Sequence, residues 1–574
     1  MLALIFALLF IFIVSLGLGL AFSRFVGLAV PQKVLETGFT ETFFVGLCIW
    51  GILLQVWSLF LPVDEWASAL SLLIGLGGAW QGRSVLCGIA VKAWGFTQNS
   101  RQASIFFLIF AICLLIAGLI PPINYDSGLY HIQAIRWIEK YGVLPGLGNV
   151  HGRFAFNPAT FVLSAGSTFH QCWGASIYAV NVAATGVFGA YLLHRIVQTV
   201  SWAKLAFYAI LFFLFLKSFV LQVSSPTPDI LAALLPCYVL LWVLERELGL
   251  VKPIFEEYFS IIWIIFFAFT VKLNTAPTGL LLVYLLYQYR STISLRYLVL
   301  VFAMGLSAAF PWLLRNIYLS GYLVYPIAST QLGNLDWAIP LENVIDERNW
   351  IYSWARLPGR DWHEVLPLSF AQWFGQWFVA LHIVYKASFI LALLSPIIMS
   401  LLFVYYRKKS IFALSLLAVW LVAWGGFCFW FYTAPDFRFG GAFIWLTCLL
   451  PLWWFSGKQN QFYLHQMRSV MLFALSLSML YYGQNAARRL TGYEWSEYAL
   501  VPLRIEAKHK NGFVKFDTQK VNGLPVLVPS GDNRCFDTSL ICTPCFNPTL
   551  MLRGKDIKEG FKVRQARPMT LQDF

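Results

Sequence analysis

Long apolar stretches recur along most of the chain and are separated by short polar turns. Because about twenty apolar residues cross the hydrocarbon core as a helix, these stretches predict about fourteen membrane spans. The predicted spans are 2–22, 40–61, 66–81, 103–122, 174–195, 204–223, 229–245, 258–273, 276–289, 297–318, 381–404, 411–431, 440–456 and 467–484. The pattern therefore predicts an all-α polytopic membrane protein, in which the short 276–289 segment could be re-entrant.

Composition supports the same class of protein. Hydrophobic residues make up 59% of the chain and charged residues only 12%, with a mean hydropathy of +0.68. Soluble domains contain about half apolar and about a quarter charged residues, so a soluble domain is excluded. The net charge of +14 does not require a nucleic-acid partner. Membrane proteins keep Lys and Arg on their cytoplasmic side.

The positions of the basic residues predict the orientation. If residues 123–173 face away from the cytoplasm, the short outer turns near 61–65 and 224–228 contain no Lys or Arg. Long polar segments at 123–173, 319–380 and 485–574 then lie outside. The opposite loops carry the basic residues Arg24, Lys33, Arg83, Lys92, Arg101, Arg195, Lys204, Arg246, Lys252, Arg290, Arg296, Lys458, Arg468 and the run at 407–409.

An aspartate stands where the chain leaves the fourth predicted span. In NYDSGLYHIQAIRWIEKYG, Asp126 precedes apolar residues spaced by three and four, which predicts a helix lying in the membrane interface. Asp126 could be an ordinary N-cap of that helix or a functional carboxylate, and the two roles are compatible. His131 lies on the same helix. NPATFVLSAGSTFHQ (157–171) predicts a second interfacial or re-entrant helix.

Two further outer turns place acidic residues at helix starts. Asp229 enters an apolar helix from SSPTPDILAALL, and Asp436 and Arg438 precede another in TAPDFRFGGAF. Helix capping is one interpretation of Asp229. Asp436 and Arg438, two residues apart at a helix start, could be solvated or could pair with each other. Phosphate binding is an interpretation of Arg438, because a guanidinium matches phosphate oxygens bidentately.

Three cations lie near the outer ends of spans: Lys217, Lys272 and Arg315. Each long side chain could reach water by snorkelling. A charge within the hydrocarbon is costly, so such residues usually face a polar cavity or a partner. Several cations at one depth beside several carboxylates favour a shared site for an anion.

This arrangement resembles the GT-C class of multi-pass glycosyltransferases, which use polyprenyl-phosphate-linked sugars on the outer membrane face. The loop with Asp126, the turn with Asp229 and the APDFRF segment are similar to outer-loop motifs of that class. The resemblance covers roughly 103–484, leaving 1–102 as additional N-terminal helices and 485–574 as an extracytoplasmic domain. The chain departs from the class in two respects. Ser127 replaces the second acid of the common acidic pair, and three additional predicted helices, within 1–102, precede the span that leads into the loop.

The resemblance implies an inverting transfer to an envelope glycan, lipid or protein, at a bacterial inner membrane. Asp126 would be the general base, with Lys272, Arg315 and Arg438 binding the lipid phosphate. Further substrate-site candidates are Lys217, His131, Asp229 and Asp436. The sequence assigns no cofactor, and a divalent cation (Mg²⁺ or Mn²⁺) stays open, with Asp126 and Asp229 as its candidate ligands. A flippase of lipid-linked glycans and a polysaccharide polymerase or ligase are the alternative functions.

The outer loop 319–380 and the tail complete the predicted outer surface. The loop is rich in tryptophan, which fits either an interfacial aromatic belt or stacking against sugars. The tail predicts short strands around an Asn-Gly turn, in a small α/β domain. Cys535, Cys542 and Cys545 are disulfide candidates, and a zinc site lacks a clear fourth ligand.

Overall fold

A computed structural model describes residues 1–29, 38–89, 91, 101–249, 253–406, 412–455, 461–503, 508–509 and 512–567. Within them the chain is mostly helical, with short strands confined to its C-terminal part. The longer helices form a bundle in which α-helix α10 is the most deeply buried.

The helices are numbered here in chain order. They are α1 Leu2–Ala29, α2 Phe39–Ser58, α3 Glu65–Gln81, α4 Arg101–Leu119, α5 Ile132–Tyr141, α6 Ala159–Ala165, α7 His170–Trp173, α8 Val180–Gln198, α9 Trp202–Phe219, α10 Asp229–Glu247, α11 Phe259–Val271, α12 Leu280–Gln288, α13 Leu295–Ser320, α14 Leu341–Arg356, α15 Trp362–Val365, α16 Phe370–Ala380, α17 Ile383–Tyr406, α18 Phe412–Thr433, α19 Phe437–Leu449, α20 Gln461–Leu490 and α21 Trp495–Ala499.

Nine helices among the described residues are long and apolar enough to cross a membrane, so the chain is a helical membrane protein. The other five predicted spans are also helical, but α3, α11 and α12 are short, and α10 and α20 are more polar. Lys33, Lys92, Lys252, Lys458 and the basic run at 407–409 lie outside the described residues. The count of fourteen spans and the orientation therefore stay predictions.

Helices α1, α2 and α3 pack closely against one another through glycines. A Cβ atom on Gly46 of α2 would lie 1.6 Å from the carbonyl oxygen of Ser15 in α1. A Cβ on Gly17 of α1 would lie 1.8 Å from the carbonyl oxygen of Gly75 in α3. In membranes, small residues at a helix interface allow this backbone contact and its van der Waals packing.

Adding one methyl group at Gly46 is therefore expected to destabilise the protein. Gly46→Ala forces α1 and α2 apart, at a cost of about 3 kcal/mol. The matched control is Gly77→Ala in α3, because a Cβ there meets no atom within 4 Å. Thermal unfolding in lipid nanodiscs should show a lower midpoint for Gly46→Ala alone. Equal midpoints would contradict the packing described for these helices.

Helix α5, the amphipathic helix after Asp126, is covered by protein on its apolar face. Ile132, Ile135 and Trp137 are fully buried, and Trp137 contacts Phe561 edge-on at 5.8 Å between ring centres. This face therefore packs against protein, and the location of the helix in the membrane interface stays a prediction. An amphipathic helix has the same sequence pattern whether its apolar face contacts lipid or protein, so the pattern alone does not distinguish the two.

The outer loop 319–380 folds into α14, α15 and α16 and is tied to the bundle by Arg356. The Arg356 guanidinium donates to the carbonyl oxygens of Tyr432 at 2.9 Å and Thr433 at 3.3 Å, at the end of α18. It also lies over the ring of Trp373, 4.9 Å from the ring centre. Basic side chains often satisfy the last carbonyls of a helix in this way.

Where the structure describes it, the C-terminal segment contains three separate antiparallel pairs of strands. β1 Lys508–His509 pairs with β2 Gly512–Phe513, β3 Lys515–Val521 with β4 Leu524–Ser530, and β5 Leu550–Leu552 with β6 Phe561–Val563. The predicted strands around Asn522 and Gly523 are β3 and β4. Of the α/β domain predicted for 485–574, the described part is mainly strands and loops, and α20 continues to Leu490.

A disulfide joins Cys535 to Cys542 and closes what we call the disulfide loop, residues 535–542. Cys545 lies outside this bond. The Phe536 amide donates to the carbonyl oxygen of Gly128 at 2.8 Å, just after Asp126. The buried Gln133 side chain donates to the carbonyl oxygens of Phe536 and Thr538 at 3.0 and 2.9 Å. The disulfide loop thus holds the segment that carries Asp126.

Two buried carboxyl groups share one arginine where the disulfide loop meets α5. Arg136 lies 2.9 Å from Glu139 and 3.5 Å from Asp537. Burial raises the pKa of Glu139 to about 7 and that of Asp537 to about 6, against the opposing charge of Arg136. Both groups therefore hold protons more strongly in the folded protein than in the unfolded chain.

This shift predicts a pH dependence of stability. The contribution of Glu139 is fully present below its ordinary pKa of 4.5 and is lost as pH rises through about 7. Glu139→Gln has no carboxyl group to titrate there. As the pH rises from 5 to 8, the free energy of unfolding of the wild type should therefore fall by roughly 3 kcal/mol more than that of the variant. Thermal unfolding of both proteins at the two pH values measures this difference. Parallel pH profiles would contradict it.

Candidate functional site

Asp126 lies in a short connection between α4 and a π-helical turn, Ser127–His131. Its side chain makes no capping hydrogen bond to that turn. One carboxylate oxygen lies 3.3 Å from Nη1 of Arg153, and the other lies 3.5 Å from Nη1 of Arg438. Capping is therefore not the role of Asp126, which is held between two guanidinium groups.

Asp229 begins α10, where it too makes no capping hydrogen bond. Its Oδ1 accepts from Nζ of Lys272 at 2.5 Å. Lys272 is placed there because α11 ends at Val271, after which the chain continues as a 3₁₀-helix, Leu273–Gly279. Nζ of Lys272 also lies 3.6 Å from the centre of the Phe439 ring, a cation–π contact.

Asp436 and Arg438 stand at the start of α19. Asp436 is the N-cap of this helix and accepts from the Arg438 amide at 2.9 Å. Its other oxygen lies 3.0 Å from both Nε and Nη2 of Arg438. Capping and pairing thus coincide in Asp436, and Arg438 bridges Asp436 to Asp126.

These contacts define one group of side chains at one end of the bundle. We call it the carboxylate–cation cluster, and its members are Asp126, Asp229, Asp436, Arg153, Lys272 and Arg438. The Asp126 and Lys272 side chains are each 27% exposed and Arg438 is 35% exposed, so a ligand can reach them.

Electrostatics keep Asp126 ionised. Burial alone would raise the pKa of Asp126, but Arg153 first, followed by His131, Arg438 and Lys272, holds it below its ordinary value. His131, close by, is buried, and burial lowers its pKa to about 4. Its imidazole is therefore neutral near pH 7, where its Nδ1 lies 3.3 Å from Oγ of Ser127.

Two predicted cations lie outside the cluster. Nζ of Lys217 is 5.6 Å from the centre of the Tyr385 ring, which stacks on Phe437 beside Arg438. Arg315 is fully buried, donating to Oδ1 of Asn157 at 2.9 Å and to Oγ of Ser58. Arg315 thus joins α2, α13 and the segment before α6, and these contacts are structural rather than part of the cluster.

Sequence reasoning missed Arg153 and Glu347. Arg153 contacts Asp126, and its Nε lies 3.7 Å from an oxygen of the fully buried Glu347 in α14. Arg153 lies in the short HGRFAF stretch, which has no helical period, and Glu347 lies in a helix with many charges. Glu347 differs from the other acidic residues of this helix in being fully buried, and only the three-dimensional structure shows this.

The cluster does not suit a divalent cation. Among the described residues, no group of three or more His, Cys, Asp or Glu side chains is placed to hold a metal ion. Asp126 and Asp229 are instead surrounded by Arg153, Arg438 and Lys272, whose charges would repel Mg²⁺ or Mn²⁺. The three cations are suited to bind an anionic ligand in addition to the aspartates that they already contact.

Comparison with known proteins gives one match. The profile of a family described as a domain of unknown function, DUF8201, matches residues 1–445. No curated protein and no solved structure matches the chain. The matched range includes every member of the carboxylate–cation cluster and ends before the strands begin.

Proposed function

The chain belongs to this DUF8201 family, and we propose that it is a GT-C-like membrane glycosyltransferase. It would transfer a sugar from a polyprenyl-phosphate donor to an envelope acceptor on the extracytoplasmic face of a bacterial inner membrane. The observation that carries the proposal is the convergence of Asp126 with Lys272 and Arg438 at one end of the helices. The convergence unites a carboxylate base with fixed cations, as the reaction needs.

The cations suit the phosphate of the lipid donor. Arg438 and Lys272 are partly exposed, and both lie beside Phe439, at 5.3 and 3.6 Å from its ring centre. As the sugar leaves, negative charge grows on the phosphate oxygen, and preorganised cations stabilise it. A guanidinium can hold two phosphate oxygens at once, whereas an ammonium acts as a point charge.

Asp126 is the proposed general base. The acceptor hydroxyl gives its proton to Asp126 as its oxygen bonds to the anomeric carbon. The bond between that carbon and the phosphate oxygen breaks, and its electron pair leaves with the lipid phosphate. A single displacement of this kind inverts the anomeric configuration. No step of it requires a metal ion.

Donor binding would also prepare the base. In the free protein Arg153 and Arg438 hold the pKa of Asp126 low, which makes it a weak proton acceptor. The phosphate of a bound donor would contact Arg438 and Lys272, which already contact Asp126 and Asp229, and it would add negative charge near Asp126. Like charge raises the pKa of a carboxyl group. Asp126 therefore becomes a stronger base when the donor is in place.

Release of lipid phosphate tests this proposal. The full-length protein in nanodiscs would receive polyprenyl-phosphate sugars and acceptor material extracted from native membranes. We expect time-dependent release of polyprenyl phosphate and transfer of the sugar to an acceptor with inverted configuration. A proteoliposome assay for movement of the lipid-linked sugar between leaflets, without its cleavage, is run in parallel.

The two readouts separate the alternative functions. Release and transfer without leaflet exchange support the glycosyltransferase. Leaflet exchange without release supports a flippase and contradicts the proposal. Transfer only of glycan chains that are themselves lipid-linked identifies a polymerase or ligase.

A further inference from the structure

A cavity of about 320 Å³, lined by both polar and apolar side chains, lies beside α5, away from the carboxylate–cation cluster. Four parts of the chain line it: the turn before α3, helix α5, residues 165–171, and the disulfide loop through Ser539 and Leu540. None of the six cluster residues lines the cavity. Since Glu139 on its wall is thirteen residues beyond Asp126, largely along helix, the two sites lie roughly 15–20 Å apart.

The lining offers hydroxyl, amide, carboxyl and imidazole groups. Glu139 accepts from Arg136 at 2.9 Å and from the Thr168 hydroxyl, so its oxygens are already oriented. His170 contacts Oγ of Ser176 through Nδ1 at 3.0 Å. Burial and then Arg136 lower the pKa of His170 to about 4, so it is uncharged near pH 7.

Charged side chains of both signs line the cavity, three acidic and two basic. Asp64, Glu65 and Glu139 are acidic, whereas Arg136 and Lys140 are basic. Arg136 is itself shared between Glu139 and Asp537. With three acidic groups against two basic ones, an anion would meet no net positive charge here. A ligand with many hydroxyls can donate to the carboxylates and accept from the other groups.

The backbone at the cavity is held in an uncommon conformation. Phe169, with a φ of +51°, adopts the left-handed region that residues other than glycine rarely occupy. Its ring packs edge-on against Phe6 and Phe10, each 5.0 Å away between ring centres. These contacts fix the turn that places His170 and Gln171 on the cavity wall. Such backbone outliers cluster at ligand sites.

We propose that this cavity binds an uncharged saccharide of one or two sugar rings. Its volume is at the lower end of small-molecule sites, which are roughly 300–1,000 Å³. The hydrogen-bond donors and acceptors on its wall, with charges of both signs, match sugar hydroxyls. The site is distinct from the carboxylate–cation cluster, so its occupancy does not depend on the proposed transfer reaction.

Saturation-transfer NMR on the full-length protein in nanodiscs tests the binding. Nanodiscs avoid maltoside detergents, whose sugar head groups would compete. The probes are glucose, galactose, N-acetylglucosamine and maltose, with gluconate and inorganic phosphate as anionic comparisons. We expect saturable binding of at least one neutral probe, with a Kd of about 1–10 mM.

Variants locate the bound sugar. Gln171→Ala removes an exposed amide, and Glu139→Gln replaces the buried carboxylate with a neutral group of similar shape. Each should weaken binding about fivefold to tenfold, the effect of one lost hydrogen bond. Asp126→Asn is the matched control for the other site and should leave the Kd unchanged.

Several results would overturn the proposal. They are the absence of saturable binding of any neutral probe at 50 mM, retention of wild-type affinity in both cavity variants, and tighter binding of phosphate than of every sugar. Loss of sugar binding in Asp126→Asn alone would place the sugar at the cluster and also overturn it. Because Gln171 is exposed, its replacement tests the site without disturbing the core.

Discussion

Replacing Asp126 with asparagine is expected to slow release of the lipid phosphate about 100- to 10,000-fold, the usual contribution of a general base. Asparagine keeps the shape of the side chain and cannot accept the proton. The change also removes a negative charge beside Arg153 and Arg438. Polyprenyl phosphate should therefore bind the variant at least as tightly as it binds wild type. A fall in kcat without a rise in KM is the expected signature.

Asp517→Asn is the matched control for this prediction. Asp517 lies on strand β3, is exposed, and accepts from the Ser530 hydroxyl at 2.6 Å, without contact to the cluster. It should turn over at the wild-type rate. If Asp126→Asn also keeps the wild-type rate while remaining folded, Asp126 is not the base, and Asp229 becomes the next carboxylate to test.

Replacing Arg438 with glutamine is expected to lower kcat/KM about 100- to 1,000-fold, as loss of one charge-stabilising donor does. Glutamine leaves both Asp126 and Asp436 without the cation that bridges them. Donor binding and stabilisation of the leaving phosphate are lost together, so KM should rise while kcat falls. Arg438→Lys should recover part of the activity, because it restores the charge without the bidentate geometry.

Arg553→Gln serves as the control for Arg438. Arg553 pairs with Asp336 at 3.0 Å on the surface and touches no member of the cluster. Both variants remove one guanidinium, so a general effect of net charge would appear in both. Wild-type kinetics in Arg438→Gln would contradict a role for this residue in phosphate binding.

The sequence alone predicted much of the helical fold and part of the site. Apolar stretches of about twenty residues mark spans directly, because lipid imposes their length and composition. Asp126, Asp229, Lys272 and Arg438 could be selected since each interrupts or borders such a stretch. Their common depth favoured a shared site, but which side chains pair within it could not be predicted, because the pairing depends on how four distant parts of the chain are arranged.

Other features needed the three-dimensional structure for physical reasons. The sequence predicts that Arg315 binds the phosphate of a substrate, but in the structure Arg315 donates hydrogen bonds to Asn157 and Ser58 within the core. Those partners are distant in sequence and are ordinary polar residues. Arg153 was missed because its loop has no periodic pattern. When a side chain's hydrogen-bond or ion-pair partners are distant in sequence, no pattern in the neighbouring residues predicts the contact.

The docking of the disulfide loop has a consequence for the order of biogenesis. Gln133 and the Phe536 carbonyl oxygen that accepts from it are 403 residues apart, so translation of one precedes the other by most of the chain. At the proposed extracytoplasmic face, Asp126 would be exported early and would wait for residues 535–542 to follow. In a ribosome-bound chain that does not yet include residues 535–542, the segment with Asp126 would lack its contacts with the disulfide loop. Competence to react would thus begin only late in synthesis, after the whole bundle has been inserted.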